Sequence, residues 1–127
     1  MAKITKKNFI CVVEDDPGIS ELMRAVLEQN GLSVEVCESE QELKKLMKKR
    51  LPGLIIMDLW LPGGVNGEKL TRELKLRKAT RHVPIIIVSA QNALGKIASR
   101  SKADGFLPKP FDIKEFFEVV QKYLPPS

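Results

Sequence analysis

The chain has 127 residues, 43% of them hydrophobic and 29% charged, enough for one domain with a real core, too few for two, and unlike disordered or fibrous compositions. Its net charge of +5 raises nucleic acid or an acidic partner as targets, but Lys44, Lys45, Lys48, Lys49, Arg50, Arg72, Lys75, Arg77, Lys78 and Arg81 have no interleaved aromatics, so a solvated basic surface is expected and no direct nucleic-acid contact. No apolar run approaches membrane-spanning length, and the basic start Met1-Ala2-Lys3-Ile4-Thr5-Lys6-Lys7 lacks a small-residue cleavage site, so neither membrane span nor secretory signal is predicted and the cytoplasm is the expected compartment.

In chain order, Phe9-Ile10-Cys11-Val12-Val13 is a continuous apolar run ending in Glu14-Asp15-Asp16, which predicts a buried strand with acids at its tip. Pro17 then opens a helix with Ile19, Leu22, Met23, Val26 and Leu27 on one face, closed by Asn30-Gly31. Leu32 to Cys37 alternates and predicts a shorter strand, and Ser39 with Glu42 predicts a capping box for a helix carrying Leu43, Leu46 and Met47. Cys11 and Cys37 lie inside apolar strands without metal-ligand spacing, so buried free thiols are expected.

Leu54-Ile55-Ile56-Met57 runs straight into Asp58, and Pro62, Gly63 and Gly64 close the stretch, which predicts a second buried strand tipped by a carboxylate. Such an acid is desolvated unless a cation or donors meet it; the alternative is that Asp58 only caps the following loop. A third helix is predicted from about Glu68, with Leu70 and Leu74 inward, and His82 is expected at the surface before the next strand. That strand, Val83 to Val88, leads into Ser89-Ala90. A fourth helix is predicted over about Asn92 to Arg100, interrupted by Gly95 and anchored by Leu94 and Ile97. Gly105-Phe106-Leu107 predicts a fifth strand, followed by Pro108-Lys109-Pro110. Asp112 with Glu115 caps a last helix whose face is Ile113, Phe116, Phe117, Val120 and Leu124.

Five strand-helix units with continuously apolar strands imply a parallel sheet covered on both faces, and right-handed crossovers bring every strand tip to one edge. Glu14, Asp15, Asp16, Asp58, Ser89 and Lys109 therefore converge. Clustered carboxylates repel unless protonated or joined by a cation, and oxygen ligands without His or Cys favour Mg2+ or Mn2+. A lysine and a serine beside such an ion suit an incoming phosphoryl group, with Asp58 as nucleophile. No Walker loop is present, so a nucleotide is not the obvious donor.

Val12-Val13-Glu14-Asp15-Asp16, Asp58 with Leu61-Pro62-Gly63, Ser89-Ala90 and Phe106-Leu107-Pro108-Lys109-Pro110-Phe111 together resemble the receiver domain of two-component response regulators. The resemblance covers about residues 8–124, leaving 1–7 as a basic N-terminal tail and 125–127 as a C-terminal end or linker start. It implies a flavodoxin-like, doubly wound five-stranded parallel sheet of order 2-1-3-4-5 with five helices. It implies that Asp58 accepts a phosphoryl group from a histidine kinase or phosphotransfer protein, with Mg2+ held by Asp15, Asp58 and the Trp60 backbone carbonyl and by Glu14 through water, and with Asp16 as a helper outside that ligand set. Lys109 would pair with Asp58 or the phosphoryl group, Ser89 would bond a phosphoryl oxygen, and Phe106 would be the aromatic switch residue. The Lys109-Pro110 bond would be cis. Trp60 and Gln91, two residues beyond Asp58 and Ser89, stand where hydrolysis rates are tuned.

Two departures stand out. Gly63-Gly64-Val65-Asn66-Gly67 is one residue longer than the family pattern, which is expected to change the entry to the third helix, and the Ser89 to Lys109 segment is a couple of residues shorter, which predicts a fourth helix that is short or mobile. Rival readings are a Mg2+-dependent phosphatase, for which Trp60 stands where a general acid belongs, a receiver-like interaction module that is never phosphorylated, and a flavin-binding domain, for which acids replace the phosphate-cradling loop. Output would run through a downstream protein target or a linked effector domain.

Overall fold

A computed structural model describes residues 9–59 and 66–124. Five parallel strands, β1 (Ile10–Val13), β2 (Val34–Cys37), β3 (Leu54–Asp58), β4 (Ile85–Ser89) and β5 (Gly105–Pro108), form one sheet in the order β2-β1-β3-β4-β5. The helices are α1 (Pro17–Gln29), α2 (Glu40–Lys49), α3 (Gly67–Leu76), α4 (Leu94–Ser101) and α5 (Ile113–Tyr123).

Alternation along the strands sorts the core into two layers. Ile10, Val12, Leu54, Ile56, Ile86 and Val88 point to the side covered by Met23, Val26 and Leu27 of α1 and Phe116 and Val120 of α5. Cys11, Val13, Ile55, Met57 and Ile85 point to the other side, against Leu43 of α2 and Leu70 and Leu74 of α3. Ile87 continues that second layer against Leu94 and Ile97 of α4. Every residue of β1, β3 and β4 is buried, which is why these strands read as unbroken apolar runs.

The helix ends follow local chemistry. Asp16 Oδ1 accepts from the Gly18 and Ile19 N–H groups at 2.8 and 3.3 Å, with Pro17 first in α1. Gly31, at φ 79°, turns the chain out of that helix. Asp112 and Glu115 form the expected capping box on α5. At α2 only half of the box forms: Ser39 Oγ accepts from the Glu42 N–H, but the Glu42 carboxylate accepts from the Glu38 N–H instead of that of Ser39. The fourth helix is short, as expected, and begins at Leu94 because Ala93, at φ 61°, precedes it without a side-chain cap; Lys102, at φ 66°, ends it.

Several residues sit differently from the sequence reading. Ile113 is 55% exposed, because the first residue of α5 precedes the turn that reaches the sheet, and Leu22 is exposed as well. Lys75, read as part of the solvated basic surface, has a side chain only 9% exposed. Its ammonium donates to the Arg81 and Val83 carbonyls at 3.0 and 2.8 Å and pairs with Asp104 at 2.7 Å. Asp104 also accepts from the Ile85 N–H at 2.8 Å, so the pair ties α3 to the starts of β4 and β5. Lys75→Met is expected to cost about 2 kcal/mol in urea unfolding, below the range for a fully buried pair because Asp104 is partly solvated.

A second tie crosses from α3 to α4. Glu68 accepts from Arg100 Nε and Nη2 at 2.6 and 3.0 Å and from Arg72 at 3.2 Å. The Arg100 hydrogen bond holds the Glu68 carboxyl below its ordinary value of 4.5. A depressed carboxylate stabilises the fold above its unfolded pKa and loses that contribution as pH falls through the folded one. Glu68→Gln should therefore lower Tm at neutral pH, with the gap to the parent closing below about pH 4.5; a gap that stayed constant would remove the clamp from the account.

Cys11 and Cys37 are buried free thiols on neighbouring strands, with Sγ atoms 3.5 Å apart. Donating to Cys37, together with burial, pushes the Cys11 thiol up, and receiving that bond lowers Cys37.

Candidate functional site

Strand register assembles the site. Val13 pairs with Met57, Asp58 with Val88 and Ser89 with Pro108, so Glu14, Asp58, Ser89 and Lys109 all fall at or one residue past the C-terminal ends of adjacent strands. They line an open cleft of about 710 Å3 together with Asp15, Asp16, Ala90 and Gln91. Its position at the carboxyl ends, where the order reverses around β1 and β3, is where doubly wound sheets bind ligands.

Glu14, Asp15 and Asp58 each bring a carboxylate oxygen to within 4.8 Å of the others. Glu14 and Asp58 are buried, whereas Asp15 faces solvent. The Lys109 ammonium lies 3.0 Å from Glu14 and 3.9 Å from Asp58, supplying one positive charge to two buried acids. Ser89 is buried with its hydroxyl accepting from the Gln91 N–H at 3.1 Å, and its carbonyl accepts from the Lys109 N–H at 2.9 Å, which binds the β4 and β5 tips together. The Lys109-Pro110 bond is cis.

The remaining expectations divide. Asp16 lines the cleft but spends its carboxylate on the α1 cap, so it stands outside the three-acid cluster. Phe106 lies away from the cleft: it is 45% exposed on β5, and a Cβ at Gly95 would sit 3.4 Å from its ring, so it packs over the first turn of α4. Trp60 lies outside the described residues, and so do the basic tail 1–7 and residues 125–127.

Gly67 was legible only as part of a glycine-rich loop, yet it fixes the Asp58 backbone. Its N–H donates to the Leu59 carbonyl at 2.8 Å, and a Cβ there would collide with the Asp58 carbonyl oxygen and lie 2.9 Å from Leu59 Cα. The signal was a third glycine at the first position of a helix directly after a strand-tip loop, where backbone must approach backbone.

Fold and cleft together define a doubly wound domain that gathers carboxylates, a lysine and a serine at one sheet edge. The chain belongs to the response regulator receiver domain family, whose family model matches residues 10–121. It is 36% identical over 120 residues to the phosphate regulon transcriptional regulatory protein PhoB of Rhizobium meliloti, covering 91% of this chain and 51% of that protein. The chain thus spans about half the length of the first curated relatives it matches. Its structure is similar to the receiver domain of NtrX from Brucella abortus, with TM-score 0.82, 26% identity, and coverage of 91% of this chain and 97% of that one. It is also similar to the receiver domain of sensor histidine kinase PA1611 from Pseudomonas aeruginosa, with TM-score 0.80, 25% identity, and coverage of 92% and 97%. That receiver was crystallised with magnesium coordinated in its active-site cleft.

Receiver domains are signalling components of two-component systems and not, in general, metabolic enzymes, which sets aside the phosphatase and flavin readings. Among the described residues no helix is long and apolar enough to cross a membrane.

Proposed function

We propose that this domain takes a phosphoryl group onto Asp58 from a phosphohistidine of a histidine kinase or phosphotransfer protein and passes the change to a protein surface. The observation that carries the reading is the approach of three carboxylates to within 4.8 Å of one another, with the Lys109 ammonium 3.0 Å from Glu14 and 3.9 Å from Asp58. An all-oxygen donor set, two members of it buried, fits Mg2+ or Mn2+. Asp15, Asp58 and the Trp60 backbone carbonyl would hold the ion, with Glu14 acting through water; when bound, it supplies positive charge beside the transferred phosphoryl oxygens.

An Asp58 carboxylate oxygen forms the new bond to phosphorus while the phosphorus–nitrogen bond of the donor breaks, its electron pair returning to the imidazole. Lys109 then exchanges its contact with Glu14 for one with the phosphoryl group, and the Ser89 hydroxyl donates to a phosphoryl oxygen. Phe106 follows Ser89 inward from its exposed position, altering the surface of α4, β5 and α5. The recipient is a downstream protein or a linked effector domain, and the compartment is the cytoplasm, as is general for response regulators.

Incubation with acetyl phosphate should add one phosphoryl group to the intact mass, and only with a divalent ion present. No addition under conditions that modify a known receiver would favour a phosphorylation-independent module. Trp60 and Gln91 tune the lifetime of the product, since hydrolysis needs an aligned water that a bulky Trp60 hinders. Trp60→Asn should shorten the phosphoryl lifetime several-fold; an unchanged or longer one would remove Trp60 from this role.

A further inference from the structure

A second concave surface lies between α2 and α3, a groove of about 210 Å3. Leu70 and Leu74 of α3 are buried at its base, and half-buried Met47 of α2 forms part of the wall. Lys44 and Lys48 edge it on α2, and Arg77 edges it just past α3. Glu73 is the acid among its lining residues.

The charge of the chain is concentrated on these two helices and the segments that directly follow them. Glu40–Arg50 and Glu68–His82 together hold eleven basic and four acidic residues, a net of +7, whereas the rest of the chain carries −2. Lys44 is paired with Glu40 at 2.6 Å. Among the described residues neither Lys48 nor Arg77 makes an ion pair, so the rim is left with positive charge that the domain does not neutralise. Solvation alone asks for no apolar groove between such charges, and nucleic acid would call for aromatic or planar stacking partners, which the lining lacks.

We propose that the α2–α3 groove docks a short acidic amphipathic helix of a partner protein. Apolar side chains one turn apart would enter against Met47, Leu70 and Leu74, and flanking Asp or Glu would meet Lys48 and Arg77. The wall formed by α3 from Leu70 and by its cap residue Arg77 runs about 10 Å, which matches two turns of a docked helix. The surface is built from α2 and α3 and shares no residue with the Asp58 cleft, so it works as a second contact, independent of phosphorylation.

The test is a titration of the 15N-labelled full chain, followed by NMR, with a synthetic helical peptide of about 14 residues carrying Leu at i, i+4 and i+7 and Glu on both flanks. Saturable shifts confined to residues 44–48 and 70–80 are expected. Replacing the peptide leucines by alanine, or combining Lys48→Glu with Arg77→Glu in the domain, should each weaken binding at least about tenfold. Both reversed positions are exposed, so the fold is kept, and an unchanged circular dichroism spectrum checks this. Asp58→Asn should bind the peptide as the parent does, which separates this surface from the phosphoacceptor reading. Shifts centred on other elements, binding indifferent to the charge reversal, or no saturation by about 1 mM peptide would overturn the proposal. Equal or tighter binding of duplex DNA or anionic vesicles would overturn it in favour of a general polyanion surface.

Discussion

Asp58→Asn is expected to abolish phosphoryl acceptance, lowering the rate by more than about a thousandfold, while the domain remains folded. The amide has nearly the shape of the carboxylate, so the packing of β3 against β1 and β4 is kept, but it lacks the charge needed to attack phosphorus. The variant should also gain stability without metal, by about 1 kcal/mol, because one of three acids crowded within 4.8 Å no longer repels the others. Lys109 keeps its 3.0 Å contact with Glu14 and so is not stranded. In the parent, Mg2+ should raise Tm as a ligand of the folded state alone, and in the variant that rise should shrink. A parent whose Tm ignores Mg2+ would show that the three acids do not form a divalent site.

Gly67→Ala should be the most damaging single-methyl change near the site, costing about 3 kcal/mol and slowing phosphorylation together. The added carbon would overlap the Asp58 carbonyl oxygen and press on Leu59 Cα at 2.9 Å, so backbone must move. Both obstacles belong to the strand end that carries Asp58, the proposed phosphoacceptor. Relaxation of that backbone is therefore expected to shift the Asp58 side chain relative to Glu14 and Lys109. Urea unfolding and the rate of acetyl phosphate labelling measure the two effects. A destabilised protein labelled at the parent rate would confine Gly67 to a structural role.

Much of this site was readable before any coordinates, for a physical reason. A buried parallel strand must be apolar along its length and can be polar only where it leaves the sheet, so the change from Met57 to Asp58, or from Val13 to Glu14, marks a strand tip directly. The parallel sheet then brings such tips to one edge, and that ground alone puts Glu14, Asp15, Asp16, Asp58, Ser89 and Lys109 together, as they are in the cleft.

What stayed hidden depends on contacts between distant segments. Nothing local distinguishes Lys75 from the solvated lysines around it; Asp104, 29 positions later, makes the difference. The clamp between Glu68 and Arg100 spans 32 positions and likewise has no local signature. Ile113 fits the apolar spacing of α5 but precedes the turn that reaches the sheet, so periodicity overstated the buried face. α4 begins two residues later than its apolar spacing implies because Ala93 adopts a left-handed conformation that its side chain does not announce. The role of Gly67 required seeing Asp58 and Leu59 folded back over it.

Trapping the labelled residue shows directly whether Asp58 takes the phosphoryl group. After reaction with acetyl phosphate and Mg2+, borohydride reduction converts an aspartyl phosphate to homoserine, and peptide mapping locates the change. Homoserine is expected at position 58 and at no other carboxylate, with none formed when Mg2+ is withheld. Homoserine at Asp15 or elsewhere, or labelling that persists in Asp58→Asn, would contradict it.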